Sequence, residues 1–217
     1  MKKTKISTLQ ALLMIVFVSC FLISNILASK QFLLPFGITM TVGAMTTFPI
    51  TYILSDIFSE VYGYKWSRAT CYIAFTMNLL MAGLFQIAIL LPPSPFYAGQ
   101  EAFAQTLGNA PRILTASLAA YVIGDFANDK VFRKMKKRHA ESMKGYGWRA
   151  ILSSLVGELC DSCVFIPVAF IGTLPVREMV VMAATQVCLK VGYEIIVLPL
   201  STLACRKVRA YELQPSR

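Results

Sequence analysis

AILSSLVGELCDSCVFIPVAFIG, Ala150 to Gly172, decides the fold. As an α-helix rising about 1.5 Å per residue it covers roughly 34 Å, slightly more than the ~30 Å of hydrocarbon in a bilayer. It holds no basic residue, yet Glu158 and Asp161 sit inside it, one turn apart. A plain lipid anchor has no use for two carboxylates, because a charge at mid-bilayer costs about 2.5 to 3.5 kcal/mol even on the mild insertion scale. The stretch therefore reads as one helix of a bundle, with lipid on one side and a polar interior on the other.

Working outward, five more apolar runs have the same character: Leu9 to Ala28, Gly37 to Val61, Ala69 to Leu91, Ile113 to Phe132 and Met179 to Cys205. The predicted fold class is an all-α membrane protein, six transmembrane helices in one bundle, forming a single polytopic domain over residues 1–217. Composition agrees: 56% of the 217 residues are hydrophobic and 15% charged, against about a quarter charged in soluble domains, and mean hydropathy is +0.61. Short alternating segments of the kind that build closed barrels are missing. Six spans leave no room for a fused nucleotide-hydrolysing domain, and the sequence has no GxxxxGK[ST] phosphate loop. The first run is longer than a signal-peptide core and leads straight into further spans, so it reads as a retained helix. All six cysteines fall within apolar segments, where a thiol behaves as a small hydrophobe and disulfides are not expected.

The formal charge of +10 would suit nucleic acid, but its placement reads as topology. Seventeen of the 21 Lys and Arg residues lie at the N-terminus, in the loops around Lys65 and from Lys130 to Arg149, and in the tail, whereas Lys30, Arg112 and Arg177 are on the other side. The positive-inside rule then puts both termini in the cytoplasm of a cell whose inner membrane holds the chain, with no nucleic-acid partner. The longest outer connection, Pro92 to Arg112, is rich in Pro and Gly and is placed to cap the outer mouth. No solenoid-type repeat occurs, and pseudo-symmetry between the three spans on either side of that loop stays open.

Seven of the 11 acidic residues sit inside predicted spans: Asp56, Glu60, Asp125, Asp129, Glu158, Asp161 and Glu194, joined by Lys190. They pair by helical spacing, with Asp56/Glu60, Asp125/Asp129 and Lys190/Glu194 four apart and Glu158/Asp161 three apart, so each pair shares a helix face. Counting ~1.5 Å per residue from opposite ends, Asp161 and Lys190 reach a common depth of about 16 Å, near the midplane. Phe48, Pro49 and Asp125 lie near mid-depth, and Asp56, Glu60, Asp129 and Glu194 lie lower. Pro49 removes a backbone donor and frees a carbonyl, a break that transporters often build into central sites. Two readings of these charges stand: mutual neutralisation, or a ligand site centred on Glu158, Asp161 and Lys190. Asn25 and Gln186 add amides suited either to helix contacts or to that site, and Asp125 and Glu194 are counted with the substrate-binding candidates. Asp56 and Glu60, just before the Tyr-Gly-Tyr-Lys turn, suit a gate or helix pairing, as do Arg112 and Asp129.

Enzymatic readings fare poorly. His139, the sole histidine, lies in the basic loop, so neither a Ser/His triad nor a His-based zinc site can be assembled. Cys160 and Cys163 form one CxxC without a second pair, a weak metal signal. No catalytic residue, metal or cofactor is expected.

Four segments carry a resemblance: TFPITYILSDIFSEVYGYKWSR (Thr47 to Arg68), QEAFAQTLGNAPRILTASLAAYVIGDFANDKVF (Gln100 to Phe132), SSLVGELCDSCVFIPVAF (Ser153 to Phe170) and QVCLKVGYEIIVLPL (Gln186 to Leu200). Together with the Ser-Asn pair ending at Asn25, the chain resembles the queuosine precursor transporter family, also called the vitamin uptake transporter family, over five of six spans in order. The resemblance implies a six-helix inner-membrane importer of 7-deazaguanine precursors of queuosine, chiefly 7-cyano-7-deazaguanine with its aminomethyl relative, serving salvage for tRNA modification. In the family pattern a Gln often follows the Gly where this chain has Asp125, and an amide is usual at Glu158. The two extra carboxylates bear on which precursor is preferred. A deazaguanine presents N1–H and an exocyclic amine side by side, a donor pair for Glu158 or Asp161, and a carbonyl that accepts from Lys190 or an amide. Phe48 and Tyr121 supply faces for stacking. Two other classes are weighed against this: a substrate-binding subunit of a multi-component ATP-driven uptake system, and a small membrane enzyme acting on lipids. As partners, the bilayer and the small-molecule base are expected, and a homodimer stays open.

Overall fold

The computed structural model describes residues 6–35, 38–138 and 146–213. The elements are α1 (Thr8–Leu27), β1 (Gln31–Leu34), β2 (Ile38–Thr41), α2 (Val42–Thr46), α3 (Phe48–Ile57), a π-helical turn (Phe58–Tyr62), α4 (Tyr64–Leu90), α5 (Gln100–Leu107), α6 (Ala110–Arg138), α7 (Tyr146–Phe170) and α8 (Val176–Glu212). The described residues are thus mostly helical, with one two-stranded sheet among them. Among the described residues, Thr8–Leu27, Tyr64–Leu90 and Val176–Val197 are long and apolar enough to cross a membrane. Their large side chains point outward in number: Ile15 is 61% exposed, Leu79 64% and Ile196 74%. In water such surfaces would drive association; against lipid tails they cost nothing.

Where the sequence predicts a single helix from Gly37 to Val61, the structure breaks it twice. Ile38–Thr41 runs as a strand, and the helix then stops at Thr46 and restarts at Phe48. Pro49, in the first turn of α3, has no N–H to offer the Met45 carbonyl, so the restart falls where a proline costs least. Thr46 and Thr47 hydroxyls donate instead to the carbonyls of Val42 and Gly43, at 2.9 and 3.2 Å. Gly43 also meets α1 so closely that a Cβ there would stand 2.4 Å from the Ser24 carbonyl oxygen. The connection after α4, expected from the sequence as an outer loop, contains α5, and the Gln100 side-chain amide fastens it to the Ile89 carbonyl at the end of α4, 2.9 Å away.

The chain forms two compact units. The first comprises Met1–Lys30, Thr41–Ala110 and Glu194–Arg217. Its core is Phe17, Leu54, Ile57, Phe58 and Ala74, with Ala204, Cys205 and Val208 packed against it. Phe17 meets Phe58 edge-on at 6.3 Å and Phe21 meets Phe75 edge-on at 5.2 Å, the geometry that aromatic quadrupoles favour. Between α1 and α4, Asn25 Nδ2 donates to Asn78 Oδ1 at 2.8 Å, both side chains buried. Without a hydrophobic force between helices in lipid, such contacts set the pairing. At one end, Ser7 caps α1 by accepting from the Gln10 N–H and itself donates to Glu212 Oε1 at 2.5 Å, while Tyr62 donates to the same oxygen at 2.8 Å.

The second unit comprises Gln31–Met40 and Pro111–Tyr193. One face each of α6, α7 and α8 is buried here, through Ile113, Ala116 and Ala120, Ser162, Ile166 and Ala169, and Met182, Gln186 and Val187. Small residues on α6 allow the approach: a Cβ on Gly124 would stand 3.0 Å from the Gly157 carbonyl oxygen on α7. The end of α7 is closed by Gly172 at φ +82, the left-handed position that follows many helices. Arg112 adds a polar clasp, its Nε donating to the Val168 carbonyl at 2.9 Å and its Nη2 to that of Ile171.

Candidate functional site

In the second unit, Lys190 on α8 stands between two carboxylates of α7, with Nζ 2.6 Å from Glu158 Oε2 and 2.7 Å from Asp161 Oδ2. The i,i+3 spacing on α7 puts both carboxylates on one face, and the long lysine stem of α8 reaches them. Side-chain exposures of 10% for Lys190, 20% for Glu158 and 26% for Asp161 leave the group largely shielded yet reachable. Fully ionised, the three carry one net negative charge. The arrangement can exchange partners: a ligand that offers donors to one carboxylate leaves Lys190 paired with the other, so no charge is stranded.

Three neighbours complete this centre. Gly124 packs against Asp161, 3.2 Å from its Cβ by the position of a would-be side chain, which brings the segment leading into Asp125 up to α7. Gln186, 5% exposed, lies one turn before Lys190 on the buried face of α8. Ser162, wholly buried, lies one turn after Glu158 on α7. Tyr121 is on α6 in the same unit, half-buried.

The other residues singled out from the sequence have different surroundings. Asn25, in the first unit, bonds Asn78 and the Phe21 carbonyl, a helix-pairing geometry. Ser201 hydrogen-bonds the Asp56 side chain. Arg209 of α8 donates to the Glu60 carbonyl at 2.7 Å, with the Glu60 carboxylate 3.8 Å away. Arg112 joins α6 to the end of α7. Phe48, Asp125, Asp129 and Glu194 lie on helices whose backbone is placed, and their side chains fall outside the described residues.

Sequence reasoning passed over Asn78, Ser162, Gly124 and Glu212. Asn78 carried the signal used for Asn25, an amide alone in an apolar run. A serine or glycine in a membrane helix is too common to stand out, and only packing reveals it.

Apolar helices with a shielded ammonium–dicarboxylate group define a class: a helical membrane protein with a polar centre among its helices. Within it, the chain belongs to the family described as "Putative vitamin uptake transporter", whose model matches residues 41–204. A Bacillus subtilis protein named "Probable queuosine precursor transporter" is 24% identical over 173 residues, covering 80% of this chain and 75% of its own. A Haemophilus influenzae protein of the same name is 28% identical over 172 residues, covering 72% and 69%. No solved structure matches the chain significantly.

Proposed function

We propose that this chain imports queuosine precursors across the inner membrane, taking 7-cyano-7-deazaguanine and its 7-aminomethyl relative as substrates. The observation that carries the reading is Lys190 held between Glu158 and Asp161, in a family of transporters with relatives named for queuosine precursors. The ligand's N1–H and exocyclic amine donate side by side to one carboxylate, which accepts two parallel bonds. That carboxylate gives up Lys190. The ammonium stays with the other carboxylate and turns a second N–H to the ligand's carbonyl oxygen, so charge and donors remain matched. Gln186 supplies a further polar edge, and Tyr121 a face for the flat ring.

The architecture in this proposal is a six-span bundle. α6, α7 and the broken segment from residue 38 to 61 cross in addition to α1, α4 and α8, and both termini are cytoplasmic. The segregation of basic residues supports that orientation. Cysteine-accessibility labelling checks it, and an external terminus would overturn it. For the function itself, the purified chain in liposomes should take up labelled 7-cyano-7-deazaguanine, and comparison with and without a proton gradient reads the coupling. Uptake that begins only when an ATP-hydrolysing partner is added would replace this reading with that of a substrate-binding subunit.

A further inference from the structure

We propose that the Ser162 hydroxyl is a specificity-determining group that hydrogen-bonds the substrate's ring carbonyl beside the Glu158–Asp161–Lys190 centre. This rests on the reading of that centre as the substrate site. Ser162 is 0% exposed, and among the described residues its Oγ has no hydrogen-bond partner. A buried hydroxyl without a partner is costly, and a site surrounded by apolar helices offers little water to relieve it.

The usual relief within a helix is a bond to the carbonyl four residues back, and hydroxyls of this protein take it repeatedly. Thr70 donates to Trp66, Thr76 to Tyr72, Thr106 to Ala102 and Thr115 to Pro111, all at 2.8 to 2.9 Å. Ser162 does not. It lies four residues after Glu158, so it shares that residue's side of α7. Glu158, the charged group on that side, is engaged with Lys190, which leaves the serine as its neutral neighbour. A hydroxyl both donates and accepts. Placed beside a carboxylate that takes the ligand's N–H groups, it donates to the acceptor next to them, the ring carbonyl.

The test uses the full chain in detergent and compares wild type, Ser162→Ala and Asp161→Asn. Two ligands are offered: 7-cyano-7-deazaguanine and its thiocarbonyl analogue, which keeps N1–H but whose sulfur accepts hydrogen bonds only weakly. Ser162→Ala should weaken binding of the first by about fivefold, the effect of one net hydrogen bond, and leave binding of the second within twofold. Its melting temperature should be equal to wild type or higher, because an unsatisfied polar group has been removed. Unchanged affinity for the carbonyl ligand, or equal losses for both ligands with a lower melting temperature, would overturn the proposal and leave the site itself standing. If wild type binds neither ligand, or Asp161→Asn binds as wild type does, the site reading fails and takes this proposal with it.

Discussion

Gly124 of α6 rests directly on Asp161 of α7: a Cβ at position 124 would stand 3.2 Å from the Asp161 Cβ and 3.0 Å from the Gly157 carbonyl oxygen. The neighbour that must yield is partly backbone, so it cannot simply rotate away. Gly124→Ala should cost about 1 kcal/mol and Gly124→Val more, within the ~1 to 3 kcal/mol typical of overpacking. Because the displaced residue is Asp161, substrate affinity should fall along with the melting temperature. A Gly124→Val protein with wild-type binding and stability would show that this contact does not position the carboxylate.

Two carboxylates sharing one ammonium make the charge count decide how each substitution behaves. Asp161→Asn leaves Lys190 paired with Glu158, a neutral couple, and should fold nearly as well as wild type while losing most precursor binding. Lys190→Met leaves two neighbouring carboxylates with no counter-ion and should be the more destabilised, by up to ~3 to 5 kcal/mol as for a broken buried pair. Combining the two leaves Glu158 alone, so stability should recover only in part. Thermal unfolding in detergent ranks the three proteins, and the opposite order for the single variants would refute the shared-ammonium arrangement.

Much of this centre was legible in the sequence, because a charge in an apolar run is expensive and helical spacing reports which charges share a face. Lys190, Glu158 and Asp161 follow from those two rules together with a depth count. The break near Pro49 followed from proline's missing donor. The strand at Ile38–Thr41 and the α5 helix did not, since short segments depend on what they pack against: Gly43 against Ser24, and Gln100 on the Ile89 carbonyl. Whether Asn25 faced a ligand or another helix was undecidable until Asn78 was seen to face it.

Glu60 and Arg209 are 68% and 57% exposed, so their pairing contributes at most ~0 to 1 kcal/mol to stability. Of the two roles expected from the sequence for Asp56 and Glu60, gate or helix pairing, the gate is the one that this pair between the π-helical turn and the end of α8 would test. Glu60→Gln and Arg209→Gln should therefore leave melting temperature nearly unchanged and equilibrium binding within about twofold of wild type, and slow transport. The charge-swapped pair, Glu60→Arg with Arg209→Glu, should recover part of the rate. Flux assays in liposomes beside detergent binding separate these effects, and a large loss of affinity in Glu60→Gln would move this residue from gate to binding site.

Glu212 accepts from both Ser7 and Tyr62, so the last turn of α8, the cap of α1 and the π-helical turn meet on one carboxylate. Burial, and then the hydrogen bond to Glu212, raise the Tyr62 phenol above its ordinary value. A phenol whose pKa is raised by folding holds its proton more tightly in the folded state than in the unfolded one. Its stabilisation is therefore fully present below the unfolded pKa of about 10 and is lost as the pH rises above it. Tyr62→Phe removes one hydrogen bond, about 1 kcal/mol, and should lower the melting temperature by roughly 2 to 4 °C for a chain of this size. The deficit should be constant from pH 6 to 9 and shrink in more alkaline buffer, where wild type loses the same contribution. Melting curves across that range decide the matter: a deficit that grows above pH 10 would mean that Tyr62 is not the group whose deprotonation weakens the corner.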